Sequence, residues 1–281
     1  MDLLYFIKTV VLGIVEGLTE FLPVSSNGHL ILAGHMLDFN GPEAETFYVA
    51  IQAGAIVAAC WHYRARIIGI LCNLFKPGAD QRLAVNTVVA FLPAAVMGVL
   101  LSSYIKSHFF NAFTVATALV VGGVIILLVE RYNERRGTPP RVATIDDMTW
   151  KDALGVGCMQ CFALIPGTSR SGATIIGALV LGLSRTAATE FSFFLAIPTI
   201  FGATVYDLWK SREVLHMANL PGLAIGTAVS FFSALLVVHW LLRYVSTNNF
   251  KAFGWYRILF GVVILVTAAT GWVSWEGGEA F

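Results

Sequence analysis

Charged residues are scarce in this chain of 281 residues. Asp, Glu, Lys and Arg make up 12% of the sequence, against about 25% in soluble globular domains. Hydrophobic residues make up 57% of it, and the mean hydropathy is +0.75. This composition excludes an ordinary soluble domain. We therefore predict an integral membrane protein that forms a single membrane domain over 1–281.

Cysteine is rare, and the signs of secretion or of nucleic-acid binding are missing. The four cysteines do not form a disulfide framework, and two of them lie in apolar runs. The chain starts with Asp2 after the first methionine rather than with a basic segment, so we interpret the start as mature sequence and not as a cleaved signal peptide. We predict membrane lipids, and no nucleic acid, as partners.

Long apolar runs are what the sequence has instead. Those at 83–105, 107–129, 214–242 and 258–275 are free of charge and are long enough, or nearly long enough, for a spanning helix, which needs roughly 20 residues. Shorter runs at 46–62 and 191–206 are plausible spans too. The runs predict an all-α membrane protein with six transmembrane helices.

One polar stretch, Glu16–His29, interrupts the apolar sequence near its start. Glu16 and Glu20 are four residues apart, so they share one face of the helix predicted over 3–20. Pro23 denies that helix its next backbone donor and predicts a break. Ionisable residues at membrane depth are functional by default, which makes this stretch a candidate site.

A second, shorter helix is predicted at about 26–37. Ser25 or Ser26 is a natural N-cap for it, and the first backbone N–H groups of a helix form an anion cradle. Neither helix is a convincing full span. We therefore predict that 3–37 form a re-entrant hairpin, whose broken backbone has to be buried in protein or to line a polar cavity.

The second half of the chain repeats the first with a shift of about 140–145 residues. The segment FLPVSSNGHLI at 21–31 matches LIPGTSRSGATII at 164–176, and two further matches lie in the same register. We predict repeats over 1–135 and 150–275, the second with its own re-entrant hairpin over 153–183. Each repeat then holds one hairpin and three transmembrane helices, and an odd number of spans gives an inverted-topology repeat.

Two hairpins that enter from opposite faces would meet near the midplane of the membrane. This brings Ser25–His29 and Thr168–Gly172 together. Lysine and arginine are concentrated in the loops of one predicted side, which we interpret as cytoplasmic. Both termini and the mouth of the first hairpin are then predicted on the outer, periplasmic side, a side to which Lys210 and Arg212 also belong. Arg257, near the end of a span, is predicted to snorkel to the interface.

The two polar segments, Glu16–His29 and Ala163–Thr174, resemble the two signatures of the bacterial undecaprenyl-diphosphatases, the bacitracin-resistance membrane phosphatases. Similarity at 47–56 and 182–185 extends the resemblance over most of the chain. It implies removal of the terminal phosphate from undecaprenyl diphosphate at the outer face of the bacterial inner membrane. The lipid monophosphate would return to peptidoglycan synthesis, and the activity would confer bacitracin resistance.

The resemblance also implies roles for individual residues. The paired glutamates of the family fall on Glu16 and Glu20, its candidate nucleophile on Ser26, its histidine on His29 and its essential arginine on Arg170. It further implies dependence on Mg²⁺ or Ca²⁺, for which the two glutamates offer hard oxygen ligands. The guanidinium of Arg170 suits bidentate phosphate recognition. The surrounding substrate-binding candidates are Ser25, Asn27, Gly28, Thr168, Ser169, Ser171 and Gly172.

Two classes of function fit the sequence. In a phosphatase, Ser26 attacks the terminal phosphorus and either His29 or a glutamate accepts its proton. In the alternative, the inverted repeat forms a transporter or flippase of a phosphorylated polyprenyl lipid, and a dual role stays open. The hydroxyl next to potential bases favours the enzyme. Whether serine or histidine is the nucleophile, which divalent ion assists, and whether the chain is a homodimer are left undecided.

Overall fold

The structure is a computed structural model that describes residues 2–39, 42–210 and 220–273. Apart from an isolated parallel bridge between Val142 and Leu183, these residues form helices, turns and irregular connections. The prediction of an all-helical protein is therefore confirmed over the described part of the chain. Arg212, which the predicted topology placed on the outer side, lies outside the described residues, and so do 274–275 at the end of the predicted second repeat.

Eleven α-helices are assigned in these ranges, in the following order. They are α1 (Leu3–Thr19), α2 (Ser26–Met36), α3 (Pro42–His62), α4 (Arg64–Asn73), α5 (Ala79–Phe109), α6 (Ala112–Arg136), α7 (Trp150–Gln160), α8 (Arg170–Val180), α9 (Arg185–Lys210), α10 (Leu220–Val245) and α11 (Lys251–Ala269). Short 3₁₀ turns at Ile145–Asp147 and Cys161–Leu164 come before and after α7.

Five of these helices are long and apolar enough to cross a membrane: α5, α6, α9, α10 and α11. A sixth span is formed if α3 and α4 count as one, although their axes differ by 74° at the break. Length and composition thus indicate a multi-pass membrane protein. Several helices begin earlier than the apolar runs did. For example, α11 begins at Lys251 rather than near 258, because polar and aromatic residues form its first turns.

The helix α1 ends where the sequence predicts. Asp2 caps its start by accepting a hydrogen bond from the Tyr5 N–H at 2.6 Å. The last helical amide bond runs from Glu20 N to Glu16 O, and the chain then turns before Pro23. Phe21 in this turn is fully buried and meets the ring of Phe193 edge to face. The break is therefore held inside the protein, as broken backbone at membrane depth requires.

The face of α1 that carries Glu16 and Gly17 is buried. α1 packs along α10, and a Cβ added at Gly17 would lie 2.5 Å from the Ser230 carbonyl oxygen. Small residues of this kind let two membrane helices approach closely. Glu16, next to Gly17, is completely buried. In the same way, α7 of the second half packs along α5 of the first. The other extensive helix contacts join α3 to α10 and α6 to α11.

Candidate active site

The two helix breaks predicted from the sequence lie side by side. The Ser171 hydroxyl at the start of α8 donates a hydrogen bond to the Leu22 carbonyl oxygen of the first break, at 2.7 Å. Ser25 precedes α2 with φ 73°, and Ser169 precedes α8 with φ 70°. Positive φ is uncommon outside glycine, and such strain clusters at functional sites. The predicted approach of the two segments is thus present in the structure.

Glu20, Ser26 and Arg170 form a connected polar chain at this junction. The Ser26 hydroxyl donates to Glu20 Oε2 at 2.6 Å. Arg170 Nε and Nη2 both lie 3.4 Å from the other carboxylate oxygen, Oε1. Glu20 and Ser26 are buried, and the Arg170 side chain is 11% exposed. The carboxylate therefore lies between the Ser26 hydroxyl, which donates to one oxygen, and the Arg170 guanidinium beside the other.

Arg170 keeps donors for a further anion. Its Nη1 donates to the Ser192 carbonyl oxygen at 3.0 Å, and the hydroxyl of Ser192 is 2.7 Å from that of Thr174. A guanidinium has five N–H groups, and in the described structure Glu20 and Ser192 engage three of them. Two remain for a ligand. A guanidinium fixed in this way is suited to bidentate recognition of phosphate.

The other predicted glutamate has no such partners. Both carboxylate oxygens of Glu16 are buried, and no donor among the described residues bonds to either. Burying a charged carboxylate without a partner is costly. A proton or a bound cation would remove that cost. Within the described ranges no group of three or more His, Cys, Asp or Glu residues could hold a metal, so water and substrate oxygens would have to complete a cation's ligand shell.

His29 lies in the same region but bonds to other partners. Its Nδ1 is 2.7 Å from the Ser25 carbonyl oxygen, which can only accept, so Nδ1 carries a proton. Its Nε2 is 2.6 Å from the Tyr256 hydroxyl, and its ring stacks on Phe260 with centroids 3.9 Å apart. In the neutral ring Nε2 accepts from Tyr256. Ser26 Oγ points to Glu20 instead, so of the two bases considered, the carboxylate is the one in place.

The two helix starts differ in their caps. Ser25 occupies the predicted N-cap position of α2, but its hydroxyl makes no capping bond. Ser169 caps α8, since its hydroxyl accepts from the Gly172 N–H at 3.1 Å. The first amides of α2 thus remain available beside the exposed Asn27 and the buried Gly28. This start is the better anion cradle of the two.

The remaining substrate-binding candidates in the second break are engaged internally. Ser169 and Ser171 share a hydroxyl contact of 3.1 Å. Gly172 donates to the cap, and the Thr168 carbonyl oxygen accepts from Arg257 at 2.9 Å. These bonds hold the break in shape, and Arg170 is the charged side chain of this segment with donors left over.

The prediction for Arg257 was wrong. Instead of snorkelling to the interface, this side chain is 1% exposed and bonds to backbone carbonyl groups of both breaks. Its position next to the apolar run suggested a span end. Because α11 begins at Lys251, Arg257 actually lies in the interior of the helix bundle. The sequence could have indicated this burial only through a general rule: an ionisable residue within a spanning helix faces the protein interior and has a specific partner there.

Helices long and apolar enough to span a membrane, together with a buried polar site made from two adjacent helix breaks, define a multi-pass membrane protein. The chain belongs to the bacitracin resistance protein BacA family, whose sequence model matches residues 9–263. This assignment confirms the resemblance drawn from the two polar segments.

Similar proteins share nearly the full length of the chain. It is 54% identical to the undecaprenyl-diphosphatase of Cupriavidus metallidurans over 98% of this chain and 100% of that protein. Proteins of the same name from Herminiimonas arsenicoxydans and Methylococcus capsulatus are also 54% identical, over 98% and 97% of this chain and 99% and 98% of those proteins.

Proposed function

We propose that this protein hydrolyses undecaprenyl diphosphate to undecaprenyl phosphate and inorganic phosphate. The observation that carries this is the 2.6 Å hydrogen bond from Ser26 to Glu20, with Arg170 on the other carboxylate oxygen. A pure carrier of an anion needs cationic and backbone donors, but no hydroxyl aligned with a base. The names of the relatives and the membership of the bacitracin-resistance family support the same activity.

Ser26 is proposed as the nucleophile. Its Oγ attacks the terminal phosphorus while its proton passes to Glu20 Oε2, with which it is already hydrogen-bonded. An Oγ–P bond forms, the bond from phosphorus to the bridging oxygen breaks, and the lipid monophosphate leaves with the electron pair of that bond. Water then attacks the phosphorus of the phosphoserine, the Oγ–P bond breaks, and Glu20 returns its proton to Oγ, so that inorganic phosphate is released and the hydroxyl is restored.

Arg170 and the start of α2 are proposed to hold the transferring group. The two remaining guanidinium N–H groups and the uncapped amides of α2 are donors that do not need to reorganise during the reaction. His29 shares a face of α2 with Ser26, three residues on. In the neutral ring its Nε2 accepts from the Tyr256 hydroxyl. Once that hydroxyl turns away, we assign to the freed lone pair the proton of the hydrolytic water in the second step.

Phosphate release tests the proposed function directly. The purified, detergent-solubilised protein should release inorganic phosphate from undecaprenyl diphosphate at a rate proportional to protein concentration. The flippase alternative needs a membrane with two sides and no turnover. A protein that binds the lipid diphosphate in detergent but releases no phosphate from it would favour that alternative.

A divalent cation, Mg²⁺ or Ca²⁺, is proposed at Glu16 with help from Glu20. The orphaned oxygens of Glu16 fit a hard cation. When bound, such an ion would neutralise charge on the diphosphate oxygens. Because both Glu20 oxygens already have partners in Ser26 and Arg170, Glu16 is the stronger ligand candidate.

Glu16→Gln is expected to raise the Mg²⁺ concentration for half-maximal activity roughly tenfold or more. The reason is that an amide keeps the shape of the side chain but removes its charge. A second measurement is the rise in melting temperature that Mg²⁺ produces, which should be smaller in Glu16→Gln than in the parent. The control is Glu134→Gln, at a carboxylate that is 40% exposed and paired with Lys251. In this control the rise should persist. An unchanged cation response in Glu16→Gln would remove Glu16 from the cation site.

The inverted repeat, with bounds 1–135 and 150–275, stays a proposal. Two observations support it. In the proposed repeat α1 corresponds to α7 and α10 to α5, and α1 packs on α10 just as α7 packs on α5. Each break also has a serine with positive φ directly before its second helix, Ser25 in the first and Ser169 in the second. With this topology the site opens to the periplasmic side of the bacterial inner membrane, and the basic loops face the cytoplasm.

Cysteine labelling tests this orientation. In a chain whose four native cysteines are replaced by serine, Ser107→Cys should react with a membrane-impermeant thiol reagent in intact cells, because it is exposed on the predicted outer side. Thr138→Cys, which is exposed beyond the end of α6, should react only after permeabilisation. The reverse pattern would invert the topology.

A further inference from the structure

We propose that Arg257 is a positioning residue that holds the two helix breaks against each other and places a buried positive charge beside the phosphate site. The proposal rests on the proposed function, because phosphate release is its main readout. No step of the proposed phosphoryl transfer uses this side chain.

One nitrogen of Arg257 joins the two breaks. Nη1 donates to the Pro23 carbonyl oxygen at 3.2 Å and to the Thr168 carbonyl oxygen at 2.9 Å. Pro23 comes two residues before Ser25, and Thr168 directly precedes Ser169, the two serines with positive φ. The two bonds therefore hold the backbone just before Ser25 and just before Ser169. In this way each bond helps to fix the direction of the helix that follows, α2 or α8.

The rest of the guanidinium bonds to the second break again and to α6. Nη2 donates to the Gly167 carbonyl oxygen at 3.0 Å and to that of Ala118 at 3.1 Å. Nε lies 3.4 Å from the Leu119 carbonyl oxygen. Five bonds thus connect α11, α6 and both breaks through one planar group. A lysine could not replace it, since an ammonium is a point donor without the fixed fork.

The charge of Arg257 has no counter-ion within the described ranges. Its hydrogen-bond acceptors are all carbonyl oxygens, and the side chain is 1% exposed. Carbonyl dipoles solvate a buried cation only in part, so the charge carries a desolvation cost. An anionic group bound at the adjacent helix starts would offset that cost. Arg257 is therefore expected to favour binding of the diphosphate without touching it.

Two glycines make room for this arrangement. A Cβ added at Gly122 on α6 would collide with Arg257 Nη2, and one added at Gly172 on α8 would lie 2.7 Å from Nη1. Gly122→Ala thus offers a way to displace the guanidinium while the charge stays in the protein. Gly98→Ala is the matched control, because a Cβ there would make an ordinary contact of 3.6 Å with Leu164.

The test measures kcat, KM for undecaprenyl diphosphate and melting temperature for each variant in detergent. Arg257→Lys should lower kcat roughly 10²-fold, the size of effect that a misplacement of about 1 Å produces. Gly122→Ala should lower kcat about tenfold by the same mechanism. In Arg257→Ala, added guanidinium should restore part of kcat and methylammonium should not. Gly98→Ala and Arg131→Lys, a change at an exposed arginine, should behave like the parent.

Two results would overturn the inference. One is a kcat within twofold of the parent in Arg257→Lys. The other is a combined result: the fall in kcat of Arg257→Lys disappears when the rate is expressed per folded molecule, and kcat of Gly122→Ala equals that of the parent. In both cases the parent and the two controls still release phosphate, so the proposed function survives. If the parent itself releases none, the proposed function fails first.

Discussion

Ser26→Ala is expected to lower phosphate release from undecaprenyl diphosphate at least ~10³-fold, the scale on which nucleophile substitutions act. The Ser26 hydroxyl is buried and already donates to Glu20 Oε2 at 2.6 Å, so its removal takes away both the attacking atom and the proton path. The backbone donors at the start of α2 remain. KM should therefore change much less than kcat.

Rapid acid quenching provides the complementary measurement. With substrate labelled in the terminal phosphate, the parent should yield a labelled phosphoserine peptide that contains Ser26, and Ser26→Ala should not. Ser246→Ala, at an exposed serine that donates to the Arg243 carbonyl oxygen, is the control and should match the parent. Turnover of Ser26→Ala close to the parent rate would mean that an activated water or His29 attacks the phosphorus.

The first helix break could be predicted in detail because its causes are local. Pro23 ends α1 through its missing N–H, and the serines after it begin α2, so predicted bounds of 3–20 and 26–37 compare with Leu3–Thr19 and Ser26–Met36. The pairing of the two breaks followed from the internal repeat, which needs only sequence comparison. Both predictions depend on short stretches of sequence, so they can be made without knowing the contacts between distant helices.

The contacts of His29 could not be predicted in the same way. Its spacing from Ser26 suggested a serine–histidine pair, since residues three apart share a helix face. The structure gives the ring other partners, Tyr256 and Phe260, which lie more than two hundred residues away in the chain. No local pattern records a contact between helices so distant in sequence. In the structure the Ser26 hydroxyl bonds to Glu20, and His29 bonds to Tyr256.

Buried ion pairs were missed for a related reason. The predicted topology used the basic loop residues only as a total for each side, yet Nε and Nη2 of Arg185 bond to Glu130, whose side chain is fully buried. The same carboxylate accepts the Phe250 N–H at 2.9 Å. Glu130 thus joins α6, the start of α9 and the start of α11. Charge counting along the chain predicts a side of the membrane for each loop, but it does not predict such partners.

Arg170→Lys is expected to lower kcat/KM roughly 10²- to 10³-fold, which is the cost of losing a preorganised donor to the developing charge. The guanidinium of Arg170 holds Glu20 Oε1 and the Ser192 carbonyl oxygen at the same time as it offers two N–H groups to an anion. An ammonium at that place keeps the charge, but it cannot serve the carboxylate, the carbonyl group and a phosphate in fixed directions.

Arg185→Lys is the matched control, because Arg185 also pairs with a buried glutamate but lies at the start of α9, bonded to Glu130 rather than to Glu20. It should lower the melting temperature and leave kcat/KM per folded molecule near the parent value. The double variant Ser26→Ala with Arg170→Lys adds a sharper criterion. Groups that act on one transition state are strongly non-additive, so the arginine change should cost far less once the nucleophile is gone. Additive losses, or near-normal turnover in Arg170→Lys alone, would separate Arg170 from the reacting phosphate.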